Sequence, residues 1–197
     1  MIGTPPPDAL RERIIALAAH EIRKIGPKRM AVVHVAAALG MSHANIYRHF
    51  SDKAALVDAV LSGWLRGLEQ RLAEIADGPD PADDKLERYL TTLSRGYAET
   101  WRCDPAIFML LADPESARVE PGRHRDSIER QVMRIAEEGI ATRLFGGSDA
   151  RWAGQLVLDL AHRFIDPATL ACNRESASDA RRDRVIRAAI RALIQRR

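Results

Sequence analysis

The chain has 197 residues, 46% hydrophobic and 29% charged, with 30 Lys+Arg against 27 Asp+Glu and a net charge of +3. That length is enough to bury a core in one or two domains, and that composition excludes a disordered chain. Gly and Pro are too few for a fibrous or low-complexity protein.

Every long segment reads with helical period, and no alternating strand pattern interrupts it. The class expected is therefore all-α. A first helix should start at Asp8, with Leu10, Ile14, Leu17, Ala18, Ile22 and Ile25 as its apolar stripe, and stop at Gly26-Pro27. A short second helix is expected over Val32 to Leu39, broken by Gly40. A third follows from His43 to about His49, with Ser42 as N-cap. Ser51 or Asp52 should cap a long fourth helix reaching about Ala76.

The stretch Asp77–Asp84 is a Pro/Asp/Gly linker, although the fourth helix is long enough to serve both halves. Helix five carries Leu86, Leu90, Leu93, Tyr97 and Trp101 on one face. Asp104-Pro105 reads as an N-cap with Pro at the first helical position, opening an all-apolar helix that Asp113-Pro114 ends. Residues 113–122 read as a loop. A long helix is then expected from about Arg123 to Leu144, closed by Gly146-Gly147. Ser148 or Asp149 should cap a helix to about Ile165, where Pro167 interferes. A last helix runs from near Ser178 to the end.

Charge is unevenly placed. Residues 1–55 hold eight Lys/Arg against four Asp/Glu, and four of the six His also lie there. A basic N-terminal quarter on a near-neutral body suits phosphate-backbone binding. Cys103 and Cys172 are far apart, which supports neither a disulfide framework nor a thiolate metal site; two reduced, partly buried thiols are expected. The Pro-rich start contains no apolar run that would make a secretory leader. The stretch free of acidic and basic side chains from Met30 to Tyr47 is too polar for a membrane span. A cytoplasmic protein with no membrane partner is expected, and the Arg- and Ala-rich usage suggests a bacterial source.

The informative segment is Val32–Lys53, VVHVAAALGMSHANIYRHFSDK. It has the pattern of a helix-turn-helix. Ala36 lets the two helices cross closely, and Gly40 supplies a turn with positive φ. Val35, Leu39, Ile46 and Phe50 should bury the shared seam. Ser42 should satisfy the free amides that open the second helix. His43, Ala44, Asn45, Tyr47, Arg48 and His49 are left to face outward, at the end of a helix that enters a major groove.

This segment resembles the DNA-binding signature of the TetR/AcrR regulators, roughly G-V-S-x-G-x-L-Y-x-H-F-x-x-K-E-x-L. Gly40, Ser42, Tyr47, His49, Phe50, Lys53 and Leu56 match at the correct spacing, and Gly26 and Val35-Ala36 fit upstream. The departures are Met30 and Ala31 where a Thr is usual, Ala44 for a glycine, and Ala54 for a glutamate. The resemblance implies an N-terminal three-helix DNA-binding domain, residues 1–53, and a helical-bundle domain, residues 54–197, that binds an effector and dimerises.

The resemblance further implies that Tyr47, His49 and Lys53 bind phosphates, Lys53 beside the opening amides of helix four. His43, Asn45, Arg48 and Ala44 would face base edges, because Arg reads guanine, Asn reads adenine and a methyl group contacts thymine. Arg29 and His34 are further backbone candidates. Tyr47 also suits packing under its own helix. Trp101, Phe108, Met109, Met133 and His162 are candidate lining for a small-molecule pocket between helices five to eight, against plain core for the first four and a core or interface histidine for the last. The last two helices are the expected homodimer interface.

No HExxH, GxSxG, GxGxxG or P-loop occurs, so no enzyme, cofactor or metal site is expected. His124-Arg125-Asp126 reads as a charged stretch opening a helix. The expectation is a ligand-responsive repressor that binds a double-stranded palindromic operator as a dimer. The alternative is a sequence-tolerant architectural DNA-binding protein without an effector.

Overall fold

The computed structural model describes residues 7–113, 115–172 and 178–194. Among them are ten helices and no strand: α1 Pro7–Ile25, α2 Val32–Ala38, α3 His43–Tyr47, α4 Lys53–Asp77, α5 Ala82–Cys103, α6 Pro105–Ala112, α7 Glu120–Ala141, α8 Ala150–Ile165, α9 Pro167–Cys172 and α10 Asp179–Leu193. The all-α expectation holds. Two compact units divide the chain. The first takes residues up to Leu65 together with Asp104–Pro121; the second takes Arg66–Cys103 and the chain from Gly122 onward. Helix α4 contributes to both.

In the first unit, Ile14, Ala18 and Ile22 of α1 are fully buried with Val35, Ile46, Leu56, Leu61 and Phe108. These are the i, i+4 and i+3 positions of each amphipathic stripe. Gly26 ends α1 in the left-handed region (φ +83°), and Gly40 makes the turn after α2 (φ +66°). Asp52 caps α4, its Oδ1 accepting from the Ala55 amide at 2.8 Å. Asp104 stands at the N-cap position of α6 but makes no cap bond; its carboxylate instead takes the Arg23 guanidinium at 2.8 Å.

In the second unit, Leu86, Tyr89, Leu90, Leu93 and Tyr97 of α5 are buried against α8 and α10, and Ile186, Ala189, Ile190 and Leu193 of α10 are buried in turn. Asp149 caps α8 through the Trp152 amide, and Ser178 caps α10 through the Arg181 amide.

Four expectations are corrected. Helix α7 begins at Glu120, inside the expected loop, because the Asp58 carboxylate on α4 accepts from the amides of Arg118, Val119 and Glu120, each at 3.1 Å. This cap comes from another helix and has no local sequence signal. The same helix closes before Gly146-Gly147: Arg143 takes the left-handed conformation (φ +60°), and the amides of Leu144 and Phe145 turn back to the Gly139 carbonyl at 2.9 and 3.0 Å. Helix α8 ends at Ile165 as expected, and Pro167 opens the further short helix α9, with Asp166 accepting from the Thr169 amide at 2.7 Å. Cys103 and Cys172 are exposed, not partly buried. The last helix does not run on to the end as expected: it stops at Leu193, whose carbonyl accepts from the Gly146 amide at 2.7 Å, and Ile194 is extended and pairs with Phe145. No described helix is long and apolar enough to cross a membrane.

Candidate nucleic-acid interface

Helix α3 is only five residues long, and it holds its position through its inner face. Ile46 is fully buried, and the amides of His49 and Phe50 bond back to the Ile46 carbonyl at 2.9 and 3.1 Å, so the chain leaves the helix in a fixed turn. Val35 and Ala36 on α2 are buried beneath it, as is Phe50. Leu39 is only half-buried. Ser42 sits at the N-cap position, but its hydroxyl makes no cap hydrogen bond, which corrects that expectation.

The outer face is polar and open. Ser42, His43, Ala44, Asn45, Tyr47 and Arg48 are exposed, as are Arg29 and His34; His49 and Lys53 are half-buried. Tyr47 is 44% accessible, so it is not packed under its helix. His43 and Tyr47 meet edge to face, ring centroids 6.1 Å apart, which stiffens both on one surface. His34 Nδ1 lies 3.7 Å from Glu21. Lys53 Nζ donates to the Lys28 carbonyl at 3.1 Å, tying the start of α4 to the loop after α1. The amide of Ala55, one of those expected to suit a phosphate, is already taken by Asp52. That bond holds the Asp52 carboxyl below its ordinary value.

The basic residues of this unit fall into two groups. Arg23 is held by Asp104, and Lys28 by Asp113 at 3.4 Å and Glu115 at 3.1 Å, contacts that raise the Lys28 ammonium above its ordinary value. Those charges fasten α1 and its following loop to α6 and its exit. Arg29 and Arg48 are exposed and in no described ion pair. They remain available to an anionic partner.

The pocket candidates are distributed differently from the sequence expectation. Phe108 (fully buried) and Met109 (half-buried) belong to α6 in the first unit. Trp101, Met133 and His162 belong to the second. Met133 packs at Gly154 of α8, where a Cβ would lie 2.6 Å from its Sδ. His162 is exposed, its side chain 64% accessible and its Nε2 3.9 Å from Asp166; the apolar face beside it belongs to Ala161 and Phe164. An open groove of about 410 Å³ in the second unit, lined by Ile75, Asp80, Asp84, Glu87, Arg88, Thr91, Thr92 and Arg95, includes none of the five.

A polar chain inside the second unit had no sequence signal. His124 is 2% exposed; its Nε2 lies 2.8 Å from the Tyr97 hydroxyl and its Nδ1 2.7 Å from Glu69 Oε1. Arg123 donates to both Glu69 oxygens at 2.9 and 2.8 Å. The histidine and arginine together hold the Glu69 carboxyl down at about 2. The HRD stretch is therefore not simply a charged helix opening. Its histidine is an interior link joining α4, α5 and α7. Tyr89, nearby on α5, is buried, and burial pushes its phenol well up. Among the described residues, no group of His, Cys, Asp and Glu is arranged to hold a metal ion.

A helix-turn-helix with a buried inner face and an open polar outer face defines a DNA-binding protein. The comparisons agree. Residues 14–60 match the family described as "Bacterial regulatory proteins, tetR family", and residues 82–186 match "Tetracyclin repressor-like, C-terminal domain". The chain is 27% identical over 173 residues to the HTH-type transcriptional repressor KstR2 of Mycolicibacterium smegmatis, covering 83% of this chain and 77% of that one. A TetR/AcrR regulator from Thermobifida fusca shares the fold at a TM-score of 0.67 and 20% identity, over 92% of this chain and 97% of its own. The regulator FadR of Bacillus subtilis, solved with stearoyl-CoA, shares it at 0.65 and 17%, over 93% and 97%. The chain belongs to the TetR family, and it is a DNA-binding transcriptional regulator.

Proposed function

We propose that this regulator is a homodimeric repressor that binds a short palindrome through residues 30–53 and is released by a small, mainly apolar effector. Residues 1–53 would be the DNA-binding part and 54–197 the effector-binding and dimerising part. The observation that carries the DNA reading is the exposed set His43, Ala44, Asn45, Tyr47 and Arg48 on a helix whose Ile46 is fully buried. Tyr47, His49 and Lys53 would hold phosphates, with Arg29 and His34 flanking, and Ser42 would stand at the helix opening. His43, Asn45 and Arg48 would read base edges.

Dimerisation is supported by α8. Trp152 is 58% and Leu160 47% exposed, two turns apart on one helix, so they offer large apolar side chains that a second subunit could cover. The apolar stripe of α10 faces its own unit, so α10 would contribute only its exposed side, including Ala188 and Ala192. A dimer has a physical purpose: one short helix reads few bases, and two half-sites one helical turn apart, about 34–36 Å, supply the specificity. Repression is supported by the name of the KstR2 relative. An apolar effector is supported by stearoyl-CoA in FadR. Trp101, Met133 and His162 are the effector-contact candidates within the second unit, and Phe108 and Met109 those within the first.

The test is selection of duplexes from a random pool by the full chain, then footprinting with and without a metabolite panel. Protection of a palindrome that a metabolite abolishes is the expected result. Uniform protection would instead favour an architectural role. Sedimentation of a Trp152→Glu, Leu160→Glu variant should shift the dimer towards monomer.

A further inference from the structure

The ten DNA-contact candidates all come from the segment between Arg29 and Lys53, yet the first turns of α1 hold another cation beside the same surface. The Arg11 guanidinium lies over the Phe50 ring, 4.9 Å from its centroid. Phe50 is 4% exposed and tied to the Ile46 carbonyl, so the ring is a fixed platform between α3 and α4. Arg11 itself is exposed. Arg23 and Lys28 are neutralised by carboxylates, whereas no described carboxylate pairs with Arg11. Glu12, next in sequence, is on a different face of the helix.

An arginine held over an aromatic ring keeps its charge and its in-plane N–H edge while losing rotamer freedom before any partner arrives. That is the arrangement that favours a planar, two-pronged grip on a phosphate at low entropic cost. Phe50 directly follows His49 and stands three positions before Lys53, both phosphate candidates. We infer that Arg11 is a further backbone-phosphate contact, carried by α1 and pre-positioned by Phe50, extending the DNA surface beyond the helix-turn-helix. The inference rests on the proposed operator binding.

The experiment is titration of a selected operator duplex with the full chain at several salt concentrations, for wild type, Arg11→Ala and Arg11→Lys. Thermal unfolding is followed in parallel. Arg11→Ala should lower affinity about tenfold, as for a lost charge-assisted contact, and reduce the salt slope by about one. Base preference should stay the same. Arg11→Lys should restore the slope but not the whole affinity, because it keeps the charge and loses the planar fork. A purely structural role on Phe50 predicts the reverse: a lower unfolding temperature with the slope unchanged, and that result overturns the inference. If Arg11→Ala unfolds too readily to titrate, an Arg11→Lys slope one unit below wild type overturns it as well. Wild type that binds no duplex at low salt would remove the operator reading itself, and this inference with it.

Discussion

The two units handle polar groups differently. The first has a mainly apolar interior, Ile14, Ile46 and Phe108 among it with Glu120 as a buried exception, and leaves His34, His43, Tyr47 and its unpaired arginines exposed. The second takes polar groups inside. Lys85, 3% exposed, reaches Glu138 at 2.8 Å, and His124 links Tyr97 to Glu69. A charge left in water is available to a nucleic acid. A charge bonded in the interior fixes how helices meet, because each buried polar atom must keep its partner. The contrast shows where DNA recognition resides in this chain and where helix registration resides.

The largest test of that contrast is Phe108→Ala. If the first unit is held by apolar packing, the change should cost about 3–5 kcal/mol in denaturant unfolding. A cost below 1 would mean that its ion pairs, such as Arg23–Asp104, carry more than their exposed geometry suggests. Gly139→Ala comes next. Its Cβ would collide with the Phe145 ring, which is 2% exposed, so about 1–3 kcal/mol should be lost through strain in the second unit.

Tyr97→Phe removes one bond of the interior chain without changing its volume, and about 1 kcal/mol should be lost. DNA affinity measured well below the melting temperature should stay within twofold if the chain serves registration alone. The Glu69 carboxyl is held at about 2 against an ordinary 4.5, with the His124 hydrogen bond as the main cause. A depressed carboxyl contributes stability fully above its unfolded value, and that contribution disappears as pH falls from about 4.5 to about 2. Wild type should lose melting temperature through that window, and Glu69→Gln should lose less. Equal losses would place the acid sensitivity elsewhere. Smallest in stability is Lys53→Ala, expected to cost no more than about 1 kcal/mol, since it removes one solvent-facing bond to the Lys28 carbonyl. It should still reduce the salt slope of DNA binding by about one. That combination, little stability and a clear slope, is the signature the first unit's outer face should give.

Much of the first unit was legible because its signals are local. The spacing Gly40–Ser42–Tyr47–His49–Phe50–Lys53 lies within one short segment, and the cap at Asp52 bonds an amide three residues on, as Asp149 and Ser178 do in the second unit. Helix α9 was legible in principle, since Asp166-Pro167 repeats the Asp-Pro opening seen before α6. The second unit's interior chain was not, because His124 meets Glu69 and Tyr97 from other helices, and nothing around His124 distinguishes it from an exposed residue.

By itself the sequence determined nine of the ten described helices to within a few residues, the helix-turn-helix and the outward face of α3, since i, i+3 and i+4 periodicity and capping act over a few residues. Tertiary structure alone decided that Asp58 starts α7, that His124 is interior, that Lys28 is neutralised while Arg11 rests on Phe50, and that the stripe of α10 faces inward. Each of these depends on groups far apart in the chain. Their meeting is set by how amphipathic faces pack, and no local pattern encodes it.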